Sequence, residues 1–227
     1  MKYILLTSLL LVMGCTNTSK SKEVSAKKET QENLIAILDT IWQTEQGPIR
    51  LRDSIGRAVG FESEAFKKQN EIYHKNHDKN EKKVLQILDS IGWPSKEIIG
   101  EQGNLTICNV LQHSSLEVRE KYLPLMRKAV KDKELSARFL VRAVDRIATD
   151  KNELQIYGQQ MKYYPESQSF NLWPIKDPEN LEKRRAEMGL DSISEFLKRK
   201  RVDFEWDLEE QIKRSEEFIL AKENANQ

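Results

Sequence analysis

The chain has little cysteine: of 227 residues only Cys15 and Cys108 carry thiols. A disulfide-stapled scaffold is therefore excluded, and the fold must rest on a buried core. It also lacks a net field, since 37 basic residues face 36 acidic ones. That balance disfavours nucleic acid as a partner, because nothing steers the chain toward phosphate. After residue 14 no apolar run approaches the roughly 20 residues that a membrane-spanning helix needs. Gly-rich phosphate loops, GxSxG and HExxH are absent, so the common nucleotide, serine-hydrolase and zinc-protease readings have no support. No fixed-length repeat is evident, which disfavours a solenoid.

What is present starts at the N-terminus. Lys2 precedes an apolar run from Tyr3 to Met13, which closes in Val12-Met13-Gly14-Cys15. The run is too short to cross a bilayer and ends at a small residue and a cysteine, so it reads as a cleaved export signal. It resembles the lipobox of bacterial lipoproteins. The resemblance implies that residues 1–14 are a signal peptide and that Cys15 becomes an acylated, palmitate-bearing N-terminus. Membrane lipid, reached through Cys15, is then one partner of the chain. The expected location is the cell membrane or outer membrane, lipid-anchored and either periplasmic or surface-exposed. Residues 15–30 are rich in Ser, Thr, Asn, Lys and Glu and are expected to form the lipidated N-terminus and a flexible tether. Cys108 remains as the one unmodified thiol, and its apolar neighbours Leu105, Ile107, Val110 and Leu111 predict a core-filling role.

From Gln31 onward apolar residues recur at three and four. Leu34, Ile35, Leu38, Ile41 and Trp42 make one stripe; Val84, Leu85, Ile87, Leu88 and Ile91 make another, stopped by Gly92-Trp93-Pro94. Residues 61–91 read as one long helix whose first part, Glu62 to Lys83, is charged and expected to be solvated. A turn over Glu97 to Ile99, a helix from Leu105 to Gln112, and another from Leu116 to Val130 behind Ser115 follow. Leu135, Phe139, Leu140, Val144 and Ile147 line a further helix ending near Asp150. Between Gln155 and Ile175 aromatic residues stand among turn formers, which predicts a small β-hairpin or ordered loop. Pro178 to Met188, a helix capped by Ser192, and a C-terminal helix over residues 203–221 complete the chain. The fold class is mainly α: an irregular multi-helix domain over residues 31–227 with a hairpin or loop near residues 155–175.

Several short motifs follow one another in order: Gly92-Trp93-Pro94, Gln112-His113, Asp145-Arg146, Gln155-Ile156-Tyr157-Gly158-Gln159-Gln160, Pro174-Ile175 with Asp177-Pro178, Arg184-Arg185 and Gly189-Leu190. In order and spacing this series resembles an uncharacterised bacterial domain-of-unknown-function family with the signature GWP, QH, DR, QxYGxQ, DP, RR, GL, common in secreted and lipid-anchored proteins. The resemblance covers about residues 45–200. Gln159 stands where that family usually has threonine, and its Asp-x-x-Asn appears only loosely, as Asp78-Lys79-Asn80. The resemblance implies a shared helical fold and no established activity.

His113 closes a nearly apolar helix and, if buried, needs a hydrogen-bond partner. Asp145 and Arg146 sit on an apolar-faced helix, where an intrahelical ion-pair ladder with Arg142 and Arg138 is the default expectation. Gln155, Tyr157 and Gln160 supply neutral donors and acceptors. Mutual satisfaction predicts one polar cluster of His113, Asp145, Arg146, Gln155, Tyr157, Gln160 and Arg184. His74 and His77, three apart with Asp78 and Glu81 near, lie in so hydrophilic a segment that no metal site is expected, and no cofactor is expected either. Two readings of function remain. One is an exported lipoprotein that binds an unknown protein or polar small molecule in the cell envelope, through the loop around Tyr157 and the C-terminal helix. The other is an envelope hydrolase in which His113 is the general base, Asp145 its orienter, and Arg146 or Arg184 the stabiliser of negative charge.

Overall fold

A computed structural model describes residues 17–166 and 168–225 of the chain. Cys15 and the signal peptide expected before it lie outside the described residues. Among the described residues, eight α-helices and one two-stranded antiparallel sheet make the fold 73% helical, so the mainly-α expectation holds. Helix α1 runs Asn17–Val59 and α2 runs Glu64–Ile91; they pair as a long antiparallel hairpin. α1 begins inside the segment expected to be a tether. Lys, Glu and Ala are good helix formers and no Gly or Pro interrupts residues 17–30, so the backbone there is helical rather than irregular.

Helix α2 starts at Ser63, whose side chain accepts from the Phe66 amide, and ends at Gly92 with φ of 71°. Trp93 then donates its indole N–H to Asn104 Oδ1 at 2.8 Å, tying the turn to α3, Lys96–His113. The expected turn at 97–99 and helix at 105–112 are one element, kinked at Gly100, where φ of 62° is cheap for glycine. α4, Leu116–Lys131, is capped by Ser115 as predicted, and α5 spans Ala137–Asp150. Strands β1, Met161–Tyr164, and β2, Ser169–Leu172, then form the hairpin, with Tyr163 opposite Phe170. A 3₁₀ turn at Pro178–Asn180 leads into α6, Leu181–Glu187. α7, Ile193–Lys200, carries a full capping box from Ser192 and Glu195, and α8 spans Leu208–Ala225.

Two apolar clusters result. The larger joins α1–α5 around Ile41, Val84, Ile107, Val110 and Leu140, and Cys108 fills space within it as expected. Burial pushes that thiol's pKa well above its usual value. The smaller joins Leu172, Ile175, Leu181, Ile193, Phe196 and Leu197.

The first half of α2 departs from expectation. Glu62 to Lys83 is not simply a solvated face, because Gln69, Tyr73, His77 and Asn80 are buried. They continue the spacing of Val84 and Leu88, so the buried stripe runs the length of the helix and only its chemistry changes, from apolar to polar.

Candidate functional site

The predicted polar residues divide between two places. Asp145, completely buried on α5, accepts from the backbone N–H of Ile156 at 2.7 Å, of Tyr157 at 3.0 Å and of Gln159 at 2.9 Å. Gln155, also completely buried, donates to the carbonyls of Gln160 and Trp173 and accepts from the Gln160 amide. Gln160 in turn reaches the Arg142 carbonyl at 3.4 Å. Arg184 donates to the carbonyls of Ile156, Lys176 and Asp177. Asp145, Gln155, Tyr157, Gln160 and Arg184 are thus brought together, as a closed network that pins the 155–160 loop. Desolvation pushes the Asp145 carboxyl up to about 6 and outweighs the three amides and Arg185. Gly158, with φ of 72°, sits where an added Cβ would lie 3.0 Å from Ile193, so the turn needs glycine.

Arg146 and His113 lie apart from that network. Arg146 pairs with Asp150 at 3.4 Å, and Arg138 with Glu101 at 3.7 Å. The expected ladder through Asp145 therefore does not form, because the loop amides occupy that carboxylate. Among the described residues, no hydrogen bond or ion pair joins His113 to Asp145. The His113 ring instead meets Tyr73 and His77 edge-on, at 6.2 and 6.3 Å between centroids.

All three histidines of the chain gather there. His77 stacks on Tyr73 at 6.0 Å and the His74 ring lies tilted to it at 5.3 Å. Behind His77, Glu45 of α1 takes the Nδ1 position at 3.2 Å and also accepts from the Asn80 amide at 3.0 Å. Arg52 lies over the Tyr73 ring, 5.0 Å from its centroid, and is held by Asp53. Burial pulls the His77 pKa down, but the hydrogen bond and charge of Glu45 overcome this and raise it. His113 moves the other way, to about 4, through burial and the neighbouring His77. Tyr73 is pushed up to about 12 by burial, reinforced by Glu45. Two of these groups, Tyr73 Oη and His77 Nε2, are buried with no hydrogen-bond partner. Among the described residues, no group of three or more His, Cys, Asp and Glu is arranged to hold a metal ion.

Sequence reasoning missed Glu45, Tyr73 and Asn80 and dismissed His77. The signal was the stripe Gln69, Tyr73, His77, Asn80, Val84, Leu88, which keeps helical spacing while switching from polar to apolar.

A third feature is an open groove of about 610 Å³ between the hairpin and α8, lined by Lys162, Tyr164, Asn171, Lys213, Arg214 and Phe218 among others. Its floor is fixed by Ser215, whose hydroxyl accepts from the Ile175 amide, and by Trp173 packed edge-on against Phe218 at 5.7 Å.

The sequence matches a family of unknown function, DUF6624, over residues 57–205, about two thirds of its length, and the chain belongs to that family. No curated protein and no solved structure matches it. The family region contains Tyr73, His77, His113 and the whole 155–160 loop; Glu45 and α8 lie outside it.

Proposed function

We propose that this member of the DUF6624 family is an exported envelope lipoprotein, anchored through Cys15, that binds a polar ligand or a protein partner in the groove between the hairpin and α8. The motif series from Gly92-Trp93-Pro94 to Gly189-Leu190 is read as its family signature. The anchor rests on the lipobox order Val12-Met13-Gly14-Cys15, and no helix among the described residues is long and apolar enough to cross a membrane.

The observation that carries the binding reading is the groove itself. Its volume of about 610 Å³ falls within the roughly 300–1,000 Å³ usual for ligand sites. Its charges are largely paired, Arg214 with Glu210 at 3.3 Å and Lys213 with Glu217 at 3.9 Å. Such a lining favours a polar ligand of mixed or no charge over a strongly charged one, since the Tyr164 ring also has Lys162 and Arg214 over it, at 5.4 and 5.2 Å.

Photocrosslinking in intact cells tests this. A crosslinking residue placed at Tyr164, in the groove, should give a specific adduct in the membrane fraction; one at exposed Tyr163, on the opposite face of the strand, should not. Cys15→Ser should lose both acyl label and membrane association. Equal adducts at 163 and 164, or none, would reject the groove, and unchanged acylation in Cys15→Ser would reject the anchor. The hydrolase reading built on His113 and Asp145 has less support, because Asp145 is committed to three loop amides.

A further inference from the structure

The histidine cluster has a donor and an acceptor that the fold leaves without partners. A carboxylate only accepts, and Asn80 already donates to Glu45 Oε1, so the His77 Nδ1 facing that oxygen carries its proton. In the neutral imidazole this leaves the lone pair on Nε2. That atom is buried and unpartnered, in a side chain 9% exposed. One helical turn away, Tyr73 Oη is buried and unpartnered as well, on a residue 4% exposed. Two buried polar groups left unmatched each carry an uncompensated desolvation cost. Both rings are covered by His113, the exposed last residue of α3.

We infer that Tyr73, His77 and Glu45 form a site for a neutral, hydroxyl-bearing ligand such as a sugar or other polyol, entered by displacement of the His113 side chain. Hydroxyls supply both missing roles: an oxygen that can accept from Tyr73 Oη–H and a proton that can be offered to His77 Nε2. Charge selects against an anion, since Glu45 and Asp53 both bear on Tyr73 and Arg52 is engaged by Asp53. His77 acts in this site as a hydrogen-bond acceptor through Nε2, and Glu45 is a positioning residue that holds the proton on Nδ1. The site is distinct from the groove at α8 and does not depend on it.

Imidazole NMR of the full folded chain tests the inference, with glucose and ethylene glycol as probes. Either probe should shift the His77 Nε2 resonance saturably in the unmodified protein. In Tyr73→Phe the apparent affinity should fall about tenfold, the loss of one hydrogen bond. Tyr73→Phe removes a buried unpaired hydroxyl, so without probe its melting temperature should equal or exceed that of the parent, which separates lost binding from lost folding. A His77 resonance unmoved by both probes, equal affinity in Tyr73→Phe, or a shift confined to His113 would each overturn the site.

Discussion

At the scale of single residues, the same side-chain type acquires opposite properties from its surroundings. His77 has Glu45 behind it and is more basic than a free histidine; His113, beside His77 and without a carboxylate contact, is held down at about 4. The second shift makes a prediction with a definite sign. Unfolded, His113 takes up its proton near pH 6.5; folded, it resists until about pH 4. Its contribution is therefore fully present above pH 6.5 and is lost as pH falls through the folded value. Asp145, raised to about 6, contributes in the opposite sense, with stability present below its unfolded value and lost as pH rises toward 6. It is common to parent and variant and cancels in a comparison. His113→Gln should accordingly lose less of its urea midpoint than the parent between pH 7 and pH 4.5, by a small margin because solvent screens the exposed residue. Equal losses in the two proteins would show that His113 does not resist protonation in the fold.

At the scale of elements, α8 shows how far sequence pattern reaches. Aromatic and apolar residues among dense charge predict a helix over 203–221, laid across the body or reaching a partner; the helix begins only at Leu208, and Phe204 and Trp206 before it pack against the smaller core. A buried hydroxyl helps fix the helix's position, beside Gln211, Phe218 and Lys222. Ser215 Oγ accepts from Ile175 N–H at 3.0 Å and donates to the Gln211 carbonyl at 2.9 Å. Ser215→Ala should strand the Ile175 amide, at a cost of about 1–3 kcal/mol, and should speed hydrogen exchange at Ile175 and along α8. Unchanged exchange at both would mean that the helix is held by Trp173 and Phe218 instead. The other helices were legible for the same reason, three-and-four spacing with caps at Ser115 and Ser192, and the hairpin was legible from its aromatic and turn residues. The polar half of α2 was not. Tyr73, His77 and Asn80 are buried only because α1 places Thr44, Glu45 and Arg52 against them, and spacing within one helix cannot name its neighbour. Of the candidate site, the Asp145, Gln155, Tyr157, Gln160 and Arg184 grouping was legible because buried polar groups must satisfy one another. The place of His113 was not, since its partners stand about forty residues upstream on a helix read as solvated.

At the scale of the whole molecule, the 155–160 loop joins the two cores, which Met188 at the end of α6 also bridges. Ile156 and Tyr157 pack against the larger one, while Gly158 lies against Ile193, Ile175 and Leu181 of the smaller. The loop is gripped from both sides: by Asp145 of α5, and by Arg184 and Arg185 of α6, which donate to the Ile156 and Tyr157 carbonyls at 3.1 and 2.7 Å. Arg185 itself is 1% exposed and is held by Asp191. Asp145 and the three loop amides are thus one principal link between the cores, beside the arginine grips and the apolar packing. Asp145→Ala should leave those amides unpaired and cost about 3 kcal/mol or more, a large share of the margin of a domain this size. Beyond the loss of stability, it should uncouple the cores: calorimetry should resolve two transitions where the parent has one, and hydrogen exchange should show residues 161–200 opening before α2–α5. Asp145→Asn, which keeps one acceptor oxygen, should fall between the two. A single transition in Asp145→Ala, merely shifted to lower temperature, would mean that the cores communicate through their apolar contacts with the loop, and that Asp145 sets the loop's conformation without coupling the halves.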